Sequence, residues 1–291
     1  MRLPGFTALG LLGLLQSAIA DNDMAALSPP VAPDAPANLG QGVVSLPDRY
    51  EFCASLSRDR RRLYIGIEHG EWQSIEAYDW SAEGWTGRQH IVGSPEFNAH
   101  DPYLSADETR LYFITRAKGS ADIAYLPRGA DGVWAEPVVM GEAVNSPSND
   151  YYTSITTAGD LYFSSDRPAG SENYDIFVAK AGADAPPERL PKSVNSRWYE
   201  GDPYIDPAGR YLIFASSRPE GRGRGDLYLS IAQQDGGWSE PIAFDERINT
   251  PGHELCPLVS LDGSAFLFTS NEDIRWVSSA IIDEMIAQHA P

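Results

Sequence analysis

The chain is short of cysteine, of basic residues and of long apolar runs, and each shortage narrows what it can be. Two cysteines in 291 residues cannot build a thiolate metal cage or a disulfide-dense scaffold. Lys and Arg number 22 against 41 Asp and Glu, giving a formal charge of −19. Nucleic acid and anionic membrane both demand a basic face, so neither suits as a partner. Cations, basic proteins and neutral ligands are left. No apolar run reaches the eighteen residues of a membrane-spanning helix. There is no Gly-flanked serine elbow, no His-Glu-x-x-His helix and no cysteine pair at metal spacing. The five histidines are scattered at 69, 90, 100, 253 and 289.

The start of the chain has the three-part layout of a secretory leader: Met1-Arg2, an apolar stretch from Phe6 to Leu15, and Ala18-Ile19-Ala20 before Asp21. Residues 1–20 are therefore expected to be removed and the product to be periplasmic or secreted. The residue after the expected cleavage point is Asp21 and not cysteine, so a lipid anchor through an N-terminal cysteine is not expected. Residues 21–37 are rich in Ala and Pro, with Pro29, Pro30, Pro33 and Pro36, and suit a disordered tether. Residues 38–291 form the expected folded domain, about 250 residues, within the range of a single large β domain.

One block returns five times within that domain, starting at Glu51, Ala99, Asp150, Glu200 and Glu254. Each copy opens with a short strand, as in Glu200-Gly-Asp-Pro-Tyr-Ile-Asp206. A turn and an apolar run follow, Leu111-Tyr-Phe113, Leu161-Tyr-Phe163, Tyr211-Leu-Ile-Phe214 and Ala265-Phe-Leu-Phe268, completing a hairpin. A third strand begins at Asp122, Asp175, Asp226 or Asp273. An aromatic then opens a fourth, as in Trp134-Ala-Glu-Pro137 and Trp238-Ser-Glu-Pro241. Four antiparallel strands per 50-odd residues make one propeller blade, and five such blades give an all-β five-bladed propeller. A six-bladed ring is the alternative, and it needs one repeat more than the chain offers.

The fourth strand ends in tails such as Gly141-Glu-Ala-Val-Asn-Ser146, Val194-Asn-Ser196 and Ile248-Asn-Thr250. The fifth repeat lacks one, while Leu39-Gly-Gln-Gly-Val-Val-Ser45 has the same form ahead of the first. Residues 38–45 are thus expected to lend the last blade its outer strand and close the ring, which abolishes the open sheet edge. Ile281, Ile282, Met285 and Ile286 recur at helical spacing, so a short C-terminal helix is expected to cover one end.

Asp202-Pro-Tyr-Ile-Asp-Pro-Ala-Gly209, Phe214-Ala-Ser-Ser-Arg-Pro219 and Gly225-Asp-Leu-Tyr-Leu229 resemble the WD40-like, TolB-like (PD40) propeller repeats, over residues 38–279. The resemblance implies an exported propeller that contacts proteins or small ligands, and implies no single reaction. The first repeat departs from the pattern, with Arg58-Asp-Arg-Arg61 in place of the Asp-Gly turn.

Several residues are candidates for a role. Arg116, Arg167 and Arg218 end the second strand, and Asp122, Asp175 and Asp226 begin the third; a structural pair within each blade is expected. Cys53 and Cys256 occupy equivalent places in the first and last repeats. Equivalent strands should point them the same way around the ring, so two buried thiols are expected in preference to a disulfide. Glu51, Asp150, Glu200 and Glu254 share one repeat position at the start of the inner strand, and are expected to ring one mouth of the channel. They either accept backbone hydrogen bonds as a structural staple or hold a cation such as Ca²⁺. His100, Asp101, Asp202 and His253 lie nearby in sequence, and Trp198 and Tyr199 offer stacking surfaces. The expected function is a binding module for a protein, peptide or glycan at this mouth. The alternative is a carboxylate-dependent glycoside hydrolase or polysaccharide lyase.

Overall fold

In the computed structural model, which describes residues 28–168, 173–183 and 185–289, five four-stranded antiparallel sheets are formed. The expected leader lies outside the described residues. Blade 1 holds β2 (Glu51–Leu56), β3 (Arg62–Glu68), β4 (Gln73–Ser81) and β5 (Gly84–Val92). Blade 2 holds β6 (His100–Leu104), β7 (Arg110–Thr115), β8 (Asp122–Pro127) and β9 (Val138–Val139), and blade 3 β10 (Asp150–Ile155), β11 (Leu161–Ser165), β12 (Asp175–Ala179) and β13 (Glu188–Arg189). Blade 4 holds β14 (Glu200–Ile205), β15 (Tyr211–Ser216), β16 (Asp226–Ile231) and β17 (Ile242–Ala243). Blade 5 has β18 (Glu254–Val259), β19 (Ala265–Ser270) and β20 (Asp273–Ser278), and takes its fourth strand, β1 (Ala37–Asn38), from the start of the ring. No sixth sheet exists among the described residues.

The second strand of each blade is apolar on both faces because a neighbouring blade covers each face. Every residue of β15 is buried, and Phe113, Phe163, Phe214 and Phe266 are among the largest fully buried side chains. Burying each such ring is worth roughly 1.5–3 kcal/mol, so the blade-to-blade seams carry much of the stability.

The ring closes as the repeat pattern requires. Ala37 pairs with Trp276 and Asn38 with Arg275, and the Leu39 amide donates to the Ile274 carbonyl at 2.8 Å. The nine described residues before this strand, 28–36, lie against the propeller and are not a free tether. The Ser278 amide donates to the Pro33 carbonyl, Trp80 Nε1 donates to the Ser28 carbonyl, and Ala32 is buried in the core. Composition alone could not show that these prolines lie against the edge of blades 1 and 5.

The outer strands β9, β13 and β17 are only two residues long, and a repeated asparagine extends their grip. Asn145, Asn195 and Asn249 each accept from the backbone amide of the third strand (Ile123, Ile176, Leu227) at 2.7–2.8 Å. Each donates its amide hydrogens back to the same residue's carbonyl and to the carbonyl closing the outer strand (Met140, Leu190, Phe244). The amide side chain thereby does the work of the missing ladder. Helix α1 (Ala280–His289) buries Ile281, Ile282 and Met285 and is anchored by Ser279 on the turn of blade 5, where its hydroxyl donates to the Gly263 carbonyl at 2.6 Å.

Candidate functional site

Each inner strand slips register once, between Phe52 and Ala54, His100 and Tyr103, Tyr151 and Thr153, Gly201 and Tyr204, and Leu255 and Leu258. At each slip one residue adopts left-handed backbone: Cys53 (φ 46°), Asp101 (56°), Tyr152 (47°), Asp202 (51°) and Cys256 (54°). That conformation costs a non-glycine residue roughly 1–2 kcal/mol, yet it recurs in all five blades. The bulge turns one side chain per blade toward its counterparts. In blades 2, 4 and 5 a proline follows (Pro102, Pro203, Pro257), at a point where the ladder needs no donor.

These five side chains meet and fill the centre of the ring. Cys53 and Cys256 form a disulfide, with Cα atoms 5.0 Å apart. The expectation of two thiols fails because the bulge redirects both side chains out of the ordinary strand alternation. The Cys256 amide donates to Asp202 Oδ2 at 3.2 Å, and the Cys53 amide donates to Thr269 Oγ1 at 2.9 Å. Tyr152 reaches from blade 3 to blade 5, donating its hydroxyl to the Pro257 carbonyl at 2.8 Å. Asp101 Oδ1 lies 3.0 Å from Cys53 Sγ and 3.1 Å from His100 Nδ1. A disulfide sulfur carries no proton, so His100 is the polar partner of that carboxylate. Burial first, and then the Asp101 charge, push the Asp202 carboxyl up to about 7. Burial also raises the Tyr152 phenol well above its ordinary value.

The four repeated acids stand elsewhere. Glu51, Asp150, Glu200 and Glu254 are all fully buried, and they staple the connectors between blades. Asp150 accepts from the amide and hydroxyl of Ser146, Glu200 from those of Ser196, and Glu254 from those of Thr250, at 2.6–3.0 Å. Ser216 and Ser270 add hydroxyl donors to Glu200 and Glu254. The donors come from the segment four residues upstream, which fixes how each outer strand hands the chain to the next inner strand. These carboxylates are not gathered as a cation site. Among the described residues the one group of three or more ligand-type side chains in mutual reach is Cys53, Asp101 and Cys256, and its sulfurs are bonded to each other.

Arg167 and Arg218 serve those acids and not the third-strand aspartates. Arg167 Nη2 pairs with Asp150 at 2.5 Å and Arg218 Nε with Glu200 at 3.2 Å, while Arg49 takes the same part beside Glu51. Arg167 and Arg218 each donate also to the connector carbonyl, Val144 or Val194. The expected partners go their own ways. Asp175 is bound by Arg189 at 2.6 and 2.7 Å, and Asp226 accepts the backbone amides of Arg222 and Gly223 at 3.0 Å. Asp122 is buried, and desolvation raises its carboxyl against the opposing charge of Lys118. Arg116 has no buried acid at its blade's position, which is Ala99, and turns instead onto the ring of Tyr151, 5.7 Å from its centroid.

Above the plugged centre, rings follow one another around the mouth. Tyr50 contacts Phe52 (centroids 5.3 Å apart), Phe52 contacts His100 (6.1 Å), His100 contacts Tyr151 (6.0 Å), Tyr151 contacts Tyr174 (5.5 Å) and Tyr174 contacts Tyr199 (5.8 Å). The arc thus runs from blade 1 to blade 4. It borders a cavity of about 450 Å³ lined by Tyr50, Phe52, His100, Asp101, Arg116 and Tyr151, with Glu68 and Glu71 on its rim. Burial raises the phenols of Tyr50, Tyr151 and Tyr199, so they stay neutral hydrogen-bond donors across the ordinary pH range.

His100, Asp101, Tyr199 and Asp202 are therefore brought to the mouth or the layer beneath it. Trp198 is not in the arc and lies under the Arg197 guanidinium, 4.8 Å away. His253 packs on Gly225 in the connector between blades 4 and 5, where burial lowers its imidazole pKa, and it does not line the cavity. Glu68, the last residue of β3, and Glu71 and Tyr174, in loops, escape sequence reasoning because they stand outside the repeat's signature positions. The other end of the ring is crossed by Arg58, whose guanidinium donates to the carbonyls of Leu261 at 3.0 Å and Ala106 at 2.8 Å, tying blades 5 and 2 to blade 1. The unusual arginines of the first repeat thus hold that end together.

No protein-family model and no curated protein matches the chain. Solved structures do. TolB from Acinetobacter baumannii is 15% identical over 79% of this chain and 54% of that one, with a TM-score of 0.50. A TolB-like protein from Agrobacterium tumefaciens is 18% identical over 81% and 76%, with a TM-score of 0.52. An endo-arabinase from Bacteroides thetaiotaomicron is 14% identical over 85% and 96%, with a TM-score of 0.56. This chain spans about half the length of the Acinetobacter protein. At such identities the likeness is one of fold: a five-bladed propeller whose structural neighbours include TolB-like propellers.

Proposed function

We propose that the chain is an exported binding module, periplasmic or secreted, whose aromatic-lined mouth takes a segment of a protein, a peptide or a glycan. The observation that carries this reading is the arc of six contacting rings over a closed floor. Stiff aromatic faces, those of Phe52 and His100 buried and the other four half-buried, supply contact area at little entropic cost, which is what a recognition surface needs. The disulfide and Tyr152, which reach across the centre of the ring, give the mouth a floor. The TolB-like neighbours and the lack, among the described residues, of a helix able to cross a membrane agree with this reading.

An enzyme is the second reading, favoured by one observation. Asp202, with its carboxyl pushed up to about 7 beside Asp101, has the protonation behaviour of a general acid. Titrating the full chain against panels of peptides and glycans, with turnover followed on the same panel, separates the two. For a binding module, Tyr50→Ala and Tyr151→Ala each weaken capture by about fivefold, the worth of one aromatic contact, and no ligand is converted. Conversion abolished by Asp202→Asn would establish the enzyme instead. Binding indifferent to both tyrosines would remove the mouth as the site.

A further inference from the structure

The chemistry lining the mouth cavity selects the kind of ligand. Rings with electron-rich faces, Tyr50, Phe52 and Tyr151, stand beside three carboxylates, Glu68, Glu71 and Asp101. Among the described residues lining the cavity the only Lys or Arg is Arg116. Taking the mouth as the binding surface, we propose that this cavity receives the cationic side chain, lysine or arginine, of a peptide ligand.

Three observations lead there. First, the arc already holds a guanidinium by its face: Arg116 sits 5.7 Å from the Tyr151 centroid and donates to its hydroxyl. Attraction between a cation and an aromatic face strengthens as the pair is shielded from water. Second, Glu68, half-buried at the end of β3, and Glu71, exposed in the following turn, have no ion-pair or hydrogen-bond partner for their carboxylates among the described residues. In the same blade Glu76 is matched by Arg88 and Asp79 by Arg62. Third, the negative field extends inward. The Tyr50 phenol, raised first by burial, also feels Glu68, Glu272, Asp101 and Asp202. An anionic ligand would meet repulsion from Glu68, Glu71 and Asp101, opposed only by Arg116, which is already turned onto Tyr151, and a neutral one would leave that field unanswered.

The test uses the full chain and four sets of decapeptides, alike except for a central arginine, citrulline, lysine or norleucine. Citrulline keeps the shape and most donors of arginine without the charge. Arginine and lysine peptides are expected to bind about tenfold or more tighter than their neutral counterparts, and to weaken as salt rises from about 0.05 to about 0.5 M. Glu68→Gln with Glu71→Gln should erase that preference. Glu136→Gln with Glu240→Gln, which removes two exposed acids from the segments leading into the outer strands of blades 2 and 4, should leave it intact and so rule out general attraction to an acidic protein. Equal binding of arginine and citrulline peptides would overturn the inference, as would a preference surviving in the Glu68/Glu71 variant. If neutral peptides or glycans bind and depend on Tyr151, the mouth is still the site and only its cationic ligand is wrong. If nothing binds in a Tyr50- or Tyr151-dependent way, both readings fall.

Discussion

Removing the bond between Cys53 and Cys256 tests the closure of the ring where it is most specific. The two residues are 203 apart in sequence, so the crosslink ties nearly the whole propeller into one loop. Closing a loop of that size removes unfolded-chain entropy worth about 5 kcal/mol at 25 °C, and native disulfides of this kind are typically worth 2–5 kcal/mol. Cys53→Ala with Cys256→Ala keeps the left-handed backbone demand unchanged from one β-carbon residue to another, so loss of the crosslink dominates. In a domain of this size a loss of about 3 kcal/mol lowers the melting temperature by roughly 6–12 °C. Denaturant unfolding with and without a reductant is the assay. The reduced parent should approach the double variant, and the oxidised parent should resist further. Alkylation of the unfolded, unreduced chain should add no mass. Two alkyl groups in the mass, or coincident unfolding of oxidised parent and double variant, would refute the crosslink and with it the axial meeting of the bulges.

Arg167→Ala should cost about 3 kcal/mol, because it strands the fully buried Asp150 with fewer donors. Asp175→Ala, which breaks a pair to the exposed Arg189, should cost within about 1 kcal/mol; denaturant midpoints of the two variants decide, and the reverse order would restore pairing within the blade. The raised Asp202 carboxyl means the folded chain binds a proton that the unfolded chain has released between about pH 4 and about 7. Its contribution to stability therefore falls as pH rises through that window and is constant above it. Asp202→Asn should flatten this part of the pH profile of the melting temperature, and identical profiles for parent and variant would show that the group does not titrate there.

What the sequence made legible, and what it hid, follow from how each feature is encoded. The blade count and closure by the N-terminal strand rest on period and on the recurring tails, and both are set by which residues are apolar and where the chain must turn. The partnership of the buried acids with connector amides was one of two open readings, since a carboxylate at a fixed repeat position looks alike whether it faces a serine amide or a cation. The central layer was hidden by a different cause. A bulge reverses which way a side chain points without altering the apolar pattern, and the residues carrying it, Cys53, Asp101, Tyr152, Asp202 and Cys256, are none of them glycine. The signal present was the proline after three of them, which has no amide for a central ladder and so marks a break in pairing. Reading Pro102, Pro203 and Pro257 that way places Asp101, Asp202 and Cys256 at bulges, and the repeat then carries the same geometry to Cys53 and Tyr152. From there the two cysteines no longer point alike around the ring, because five redirected side chains converge on one axis, and the nearest neighbours across the closure are the first and the last.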